Sequence, residues 1–94
     1  MLLNCNIYIE KKINNRTSFI IVVSLFVQIP DVKELLRIKK KYNLTIIEDA
    51  AQSFGAKYKK KKSCNIFDIG CTSFFPTKSL GCFGDGGALF TNNK

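Results

Sequence analysis

The chain has 94 residues, 46% of them hydrophobic, which suits one small globular domain and excludes a disordered segment. It carries 15 Lys and Arg against 7 Asp and Glu, a formal charge of +8, and it has no histidine. The missing histidine excludes His-based acid/base catalysis and His metal ligation.

From the start, Met1 to Glu10 holds no basic stretch followed by a long apolar one, so no signal peptide is expected. Cys5, Cys64, Cys71 and Cys82 form no C-x-x-C pair. No metal site is expected from them; free thiols in a reducing cytoplasm are. Residues 18–25 form a β-branched run, as expected of a strand buried on both faces. The apolar stretch 19–27, broken by Ser24, is shorter than the roughly 20 residues a membrane helix needs. No membrane segment is predicted.

Pro30 and Asp31 then open a helix. Asp31 can cap it, and Glu34 three places on completes a capping-box pattern. Val32, Leu35, Leu36 and the stem of Lys39 follow helical spacing, with Lys33, Arg37 and Lys40 toward water. The helix should end near Asn43. Thr45, Ile46 and Ile47 form a second short buried strand that ends in Glu48 and Asp49. Strand, helix, strand is a βαβ unit, and in such sheets ligands bind beyond the carboxyl ends of the strands. Asp49 lies at that end.

Residues 57–65 read as an exposed loop or hairpin tip, residues 70–75 as a third strand and residues 88–91 as a last one. Nothing marks a domain boundary within 1–94. The basic charge concentrates at residues 37–41 and 57–62. A solvated surface explains it; no aromatic interleaving or known nucleic-acid motif accompanies it.

Four residues stand out together: Asp49, Gln52, Ser73 and Lys78. A carboxylate at a strand end can hold a protonated ring nitrogen. An amide one helical turn on can contact a ring substituent. A hydroxyl can bind phosphate, and a lysine amine can form a Schiff base with an aldehyde. Those are the parts a pyridoxal phosphate (PLP) site needs. From the residues alone the assignment stays open, since any α/β protein holds an Asp and a Lys.

Two stretches sharpen it. Glu48-Asp49-Ala50-Ala51-Gln52-Ser53-Phe54-Gly55-Ala56 is one. Thr72-Ser73-Phe74-Phe75-Pro76-Thr77-Lys78-Ser79-Leu80-Gly81-Cys82-Phe83-Gly84-Asp85-Gly86-Gly87-Ala88 is the other. Both resemble the motifs of the DegT/DnrJ/StrS family of PLP-dependent sugar aminotransferases, in order and at the family's spacing. The resemblance runs from about residue 7 to the end. It looks closest to members that aminate 3-keto sugars of the UDP-N-acetylglucosamine or UDP-glucuronate type.

The resemblance implies an α/β fold: part of a fold-type-I PLP-transferase large domain, a mostly parallel sheet with flanking helices. It implies that Lys78 is catalytic and holds PLP, Asp49 pairs with the ring nitrogen, Gln52 packs by the ring, and Ser73 binds the phosphate. It further implies a nucleotide-linked keto sugar as substrate, an amino-acid donor such as glutamate, a homodimer and a cytoplasmic role in amino-sugar or surface-polysaccharide synthesis. No nucleic acid and no membrane enter it. Related dehydratases carry His where Lys78 stands, which argues against that branch.

Some positions depart from the family. Val23 replaces a common Pro, Val27 and Lys60 stand where relatives usually have Gly, and Phe83 stands where they often have Tyr. A Val forced to positive φ costs about 1–2 kcal/mol. Family members run to several hundred residues, so the expected missing parts are a further phosphate loop, a ring-stacking aromatic and a small C-terminal domain. Two other readings remain: a catalytically incompetent fragment of such an enzyme, and a small basic nucleic-acid-binding module.

Overall fold

The computed structural model describes residues 5–25 and 29–93. In chain order it holds α1 (Cys5–Lys12), β1 (Phe19–Val23), α2 (Val32–Tyr42), β2 (Thr45–Asp49), β3 (Lys57–Tyr58), β4 (Lys61–Lys62), β5 (Ile69–Ser73) and β6 (Gly87–Thr91). The two β-branched runs pair as parallel neighbours, Ile21 opposite Ile47 and Val23 opposite Asp49. The main sheet runs β1-β2-β5-β6, with the first three strands parallel and β6 antiparallel.

The expected βαβ unit therefore forms, and its helix is capped as the sequence implies. Asp31 Oδ1 accepts the Glu34 N–H at 3.1 Å. Glu34 does not close the box; its carboxylate pairs with Arg37 at 2.6 Å. Asn43 ends the helix in the left-handed region, at φ 51°. The buried stripe is Val32, Leu35 and Ile38. Leu36, expected in the core, is 43% exposed. With 3.6 residues per turn it falls to one side of that stripe, and Ile38 takes the core position instead.

The core joins Val22, Ile46, Val32, Leu35, Ile66 and Phe67, with Ile9 of α1 and Tyr58 packed against it. Both helices thus cover the same side of the sheet. Contrary to expectation, β1 is not buried on both faces. Phe19, Ile21 and Val23 are each at least half exposed, and so is Leu89 of β6. The β1–β2–β5–β6 register places all four on the opposite face, which these helices do not reach.

The α1 helix was not anticipated. Its apolar side chains form no continuous stripe, and it is tied down by charge. Glu10 pairs with Arg37 at 2.7 Å and with Lys41 at 2.9 Å. The hairpin tip at 57–65 is half right. β3 and β4 pair through a two-residue turn, Lys59 and Lys60, but Ser63 and Cys64 after it are buried. Within the turn the positive φ, 54°, belongs to Lys59 and not to Lys60. Val27 lies outside the described residues.

Candidate active site

Asp49 is the last residue of β2, and Cys71 is its partner on β5. Ser73, two residues further along, shares the Asp49 face because side chains alternate along a strand. The carboxylate and the hydroxyl therefore lie on one face, two residues apart along the ladder, at the carboxyl ends of adjacent parallel strands. One Asp49 oxygen accepts the Ala51 N–H at 3.0 Å, which locks the side chain against its own turn. The second oxygen has no protein partner among the described residues. Ser73 Oγ accepts the Phe75 N–H at 3.2 Å, leaving its own proton free to donate.

Gln52 follows in a turn, not on a helix as the spacing suggested. Successive bonds from Ser53 N to Ala50 O and from Ala56 N to Ser53 O bend the chain at 50–56 without a helical ladder. The Gln52 side chain is exposed. Beside it, the buried Ser53 hydroxyl has no partner among the described residues.

Lys78 sits on the loop that leaves β5. That loop closes on itself: Lys78 N donates to Phe75 O at 2.8 Å, Cys82 N to Phe74 O at 2.8 Å, and Phe74 N to Gly86 O at 2.7 Å. Gly81 permits the closure, since a Cβ there would lie 2.5 Å from the Pro76 carbonyl oxygen. An edge contact between Phe54 and Phe74, centroids 5.8 Å apart, joins the Gln52 turn to the Lys78 loop. The Lys78 side chain is half-buried and makes no ion pair among the described residues.

The structure therefore brings Asp49 and Ser73 onto one face and packs the loops of Gln52 and Lys78 against each other. The donor set fits PLP. A free carboxylate oxygen suits a cationic ring nitrogen, a free hydroxyl proton suits a phosphate, and an amine outside any ion pair suits an aldehyde. Two apolar surface grooves, of 410 and 380 Å³, are lined by none of the four residues.

Two thiols near Asp49, Cys64 and Cys71, are held in the protonated form by burial. Burial, helped by Glu48, Cys71 and Asp49, pushes Cys64 up to about 11, and burial also raises Cys71. Sequence reasoning passed over Glu48, which is fully buried directly beside Asp49. The signal was available: on a strand with period two, Glu48 shares its face with the core residue Ile46.

The family model for DegT/DnrJ/EryC1/StrS aminotransferases matches residues 3–94. The chain belongs to this aminotransferase family. It is 56% identical over 85 residues to UDP-2-acetamido-2-deoxy-3-oxo-D-glucuronate aminotransferase from Pseudomonas aeruginosa, covering 90% of this chain and 24% of that protein. Among solved structures it resembles S. venezuelae DesV in complex with a ketimine intermediate, with a TM-score of 0.88 and 38% identity. That match covers 94% of this chain and 24% of the other. It also resembles ntda from Bacillus subtilis with bound PMP, at a TM-score of 0.79, 36% identity and coverage of 92% and 19%. The chain spans about a quarter of the length of the curated relatives it matches. With these neighbours, the mixed, mostly parallel sheet is part of an α/β aminotransferase domain of fold type I.

Proposed function

We propose that these 94 residues form the central part of the PLP-binding large domain of an aminotransferase that aminates a nucleotide-linked keto sugar. The reading rests on one observation above all. Asp49 and Ser73 share a face at the ends of β2 and β5, and Lys78 follows on the loop beyond Ser73. The relatives' names supply the substrate class, a sugar nucleotide carrying a ketone. The amino donor is an amino acid such as glutamate, and a homodimer completes the site.

Each residue has a defined task. The free Asp49 oxygen would accept a hydrogen bond from a protonated ring nitrogen and favour that protonated form. Ser73 Oγ donates to a phosphate oxygen. Gln52 offers its amide to a ring substituent. Lys78 Nζ would hold the cofactor's aldehyde carbon and, when free as the amine, could carry a proton. PLP, when bound, supplies the electron sink.

A second reading, an incompetent fragment, is favoured by the exposed Gln52 side chain and by the chain's span of about a quarter of its relatives' length. One experiment separates the two. The purified chain is mixed with PLP, reduced with borohydride and mapped by mass spectrometry. A reduced adduct on Lys78, absent in Lys78→Ala, is expected. No adduct on the wild-type chain overturns competence for this chain and leaves the family assignment untouched.

A further inference from the structure

Glu48 is the one fully buried carboxylate among the described residues, and no cation approaches it. Its two oxygens are held by two different segments. Ser24 Oγ donates to Oε1 at 3.1 Å, and Cys64 N donates to Oε2 at 2.8 Å. Ser24, also fully buried, donates its own N–H to the Asp49 carbonyl at 3.0 Å. Ser24 therefore binds two consecutive residues of β2, one through its side chain and one through its backbone.

The Cys64 end is equally specific. Cys64 is a non-glycine residue at φ 68°, a conformation that costs about 1–2 kcal/mol and persists only where the surroundings demand it. Its backbone lies directly on Gly70, the β5 partner of Glu48. The absent side chain at Gly70 lets the turn approach, and the left-handed turn delivers the Cys64 N–H to the carboxyl. A side-chain bond from Ser63 Oγ to Ser53 O, at 2.9 Å, ties the same turn to the segment that carries Gln52.

We propose that Glu48 is a positioning residue for the cofactor site: its carboxyl cross-ties the end of β1, the end of β2 and the 63–64 turn, and so fixes the backbone from which Asp49 and Gln52 project. The inference rests on the reading of that site given above. Asp49 needs such a brace. Its side chain is oriented by the Ala51 N–H alone, so its aim follows the backbone at 48–51. The groups that touch the Glu48 carboxyl are the Ser24 hydroxyl and the Cys64 N–H, with no base among them. A neutral side chain of the same shape can keep both ties: glutamine accepts from Cys64 N and donates to Ser24 Oγ.

The test compares wild type, Glu48→Gln and Glu48→Ala by amide hydrogen exchange and by PLP binding. In Glu48→Ala, protection at Cys64 and Ala51 should fall about tenfold or more, as expected for an unmatched buried donor, while amides within α2 keep theirs. Glu48→Gln should restore the protection. PLP affinity should drop about tenfold in Glu48→Ala and recover in Glu48→Gln. If Ala51 protection is unchanged in Glu48→Ala, or falls only in step with α2, the positioning role is overturned. If wild type binds no PLP, the cofactor reading fails for this chain, and the exchange data still decide the role of Glu48.

Discussion

Glu48 and Gly70 face each other across the β2–β5 ladder, and the Cys64 turn occupies the space a Gly70 side chain would need. A Cβ at Gly70 would stand 2.3 Å from Cys64 Cα, a contact with backbone that no rotamer change relieves. Gly70→Ala should therefore push the turn off β5 and destabilise the chain by about 1–3 kcal/mol. Urea unfolding followed by circular dichroism measures this. An unchanged midpoint would mean that the turn does not pack where the structure has it.

The pH dependence of stability has two opposed limbs. Burial lifts the Glu48 carboxyl above its ordinary 4.5, against the opposing pull of the Cys64 N–H and the Ser24 hydroxyl. A raised folded pKa means that the Glu48 contribution is complete below 4.5 and is lost as pH rises through the folded value. Glu10 behaves oppositely. Hydrogen bonds from Lys41 and Arg37 hold it at about 2, so its contribution is present above 4.5 and is lost as pH falls toward 2. Glu48→Gln should raise stability at pH 7 relative to wild type and flatten the decline above pH 4.5. Denaturation midpoints between pH 3 and 8 test both limbs; a wild-type curve that rises steadily from pH 5 to 8 would contradict the upward shift of Glu48.

The parts of this fold that the sequence disclosed are those with local causes. The β-branched run at 19–23, the Asp31 cap and the Asn43 stop each act within a few residues, so the βαβ unit was readable. The α1 helix was not, because its hold on the protein runs through Glu10 to Arg37 and Lys41, more than twenty residues away. The bare face at Phe19, Ile21 and Val23 was hidden for a different reason. Hydrophobicity shows that a face wants cover, and it does not show whether these residues provide the cover. The site divides in the same way. Asp49 and Ser73 follow from strand ends and motifs. The Ser24–Glu48–Cys64 tie depends on a left-handed Cys64 that no local rule predicts.

The β3–β4 turn offers a sharper contrast between family pattern and local geometry. The resemblance of the sequence implies glycine at Lys60, whereas the positive φ belongs to Lys59. A side chain held left-handed costs about 1–2 kcal/mol, and a glycine loses about 0.4–1 kcal/mol through the freedom of the unfolded chain. Lys59→Gly should thus raise stability by about 0.5–1 kcal/mol. Lys60→Gly should lower it by about 0.4–1 kcal/mol. Thermal melts of the two variants settle the order, and the reverse order would show that the left-handed residue is misassigned.

Asp49 carries two jobs that one substitution can separate. Its Oδ1 accepts the Ala51 N–H and shapes the turn, while its second oxygen, without a partner among the described residues, is the one proposed to meet the cofactor. Asparagine keeps the acceptor and removes the charge. Asp49→Asn should therefore fold with wild-type stability, within about 0.5 kcal/mol. The same variant should bind PLP about 10- to 100-fold more weakly, the loss expected for a hydrogen bond to a charged group. Asp49→Ala should lose both the turn and the binding. Paired unfolding curves and PLP titrations distinguish the roles. Equal PLP affinity in wild type and Asp49→Asn would leave Asp49 a turn-forming residue and remove it from the cofactor site.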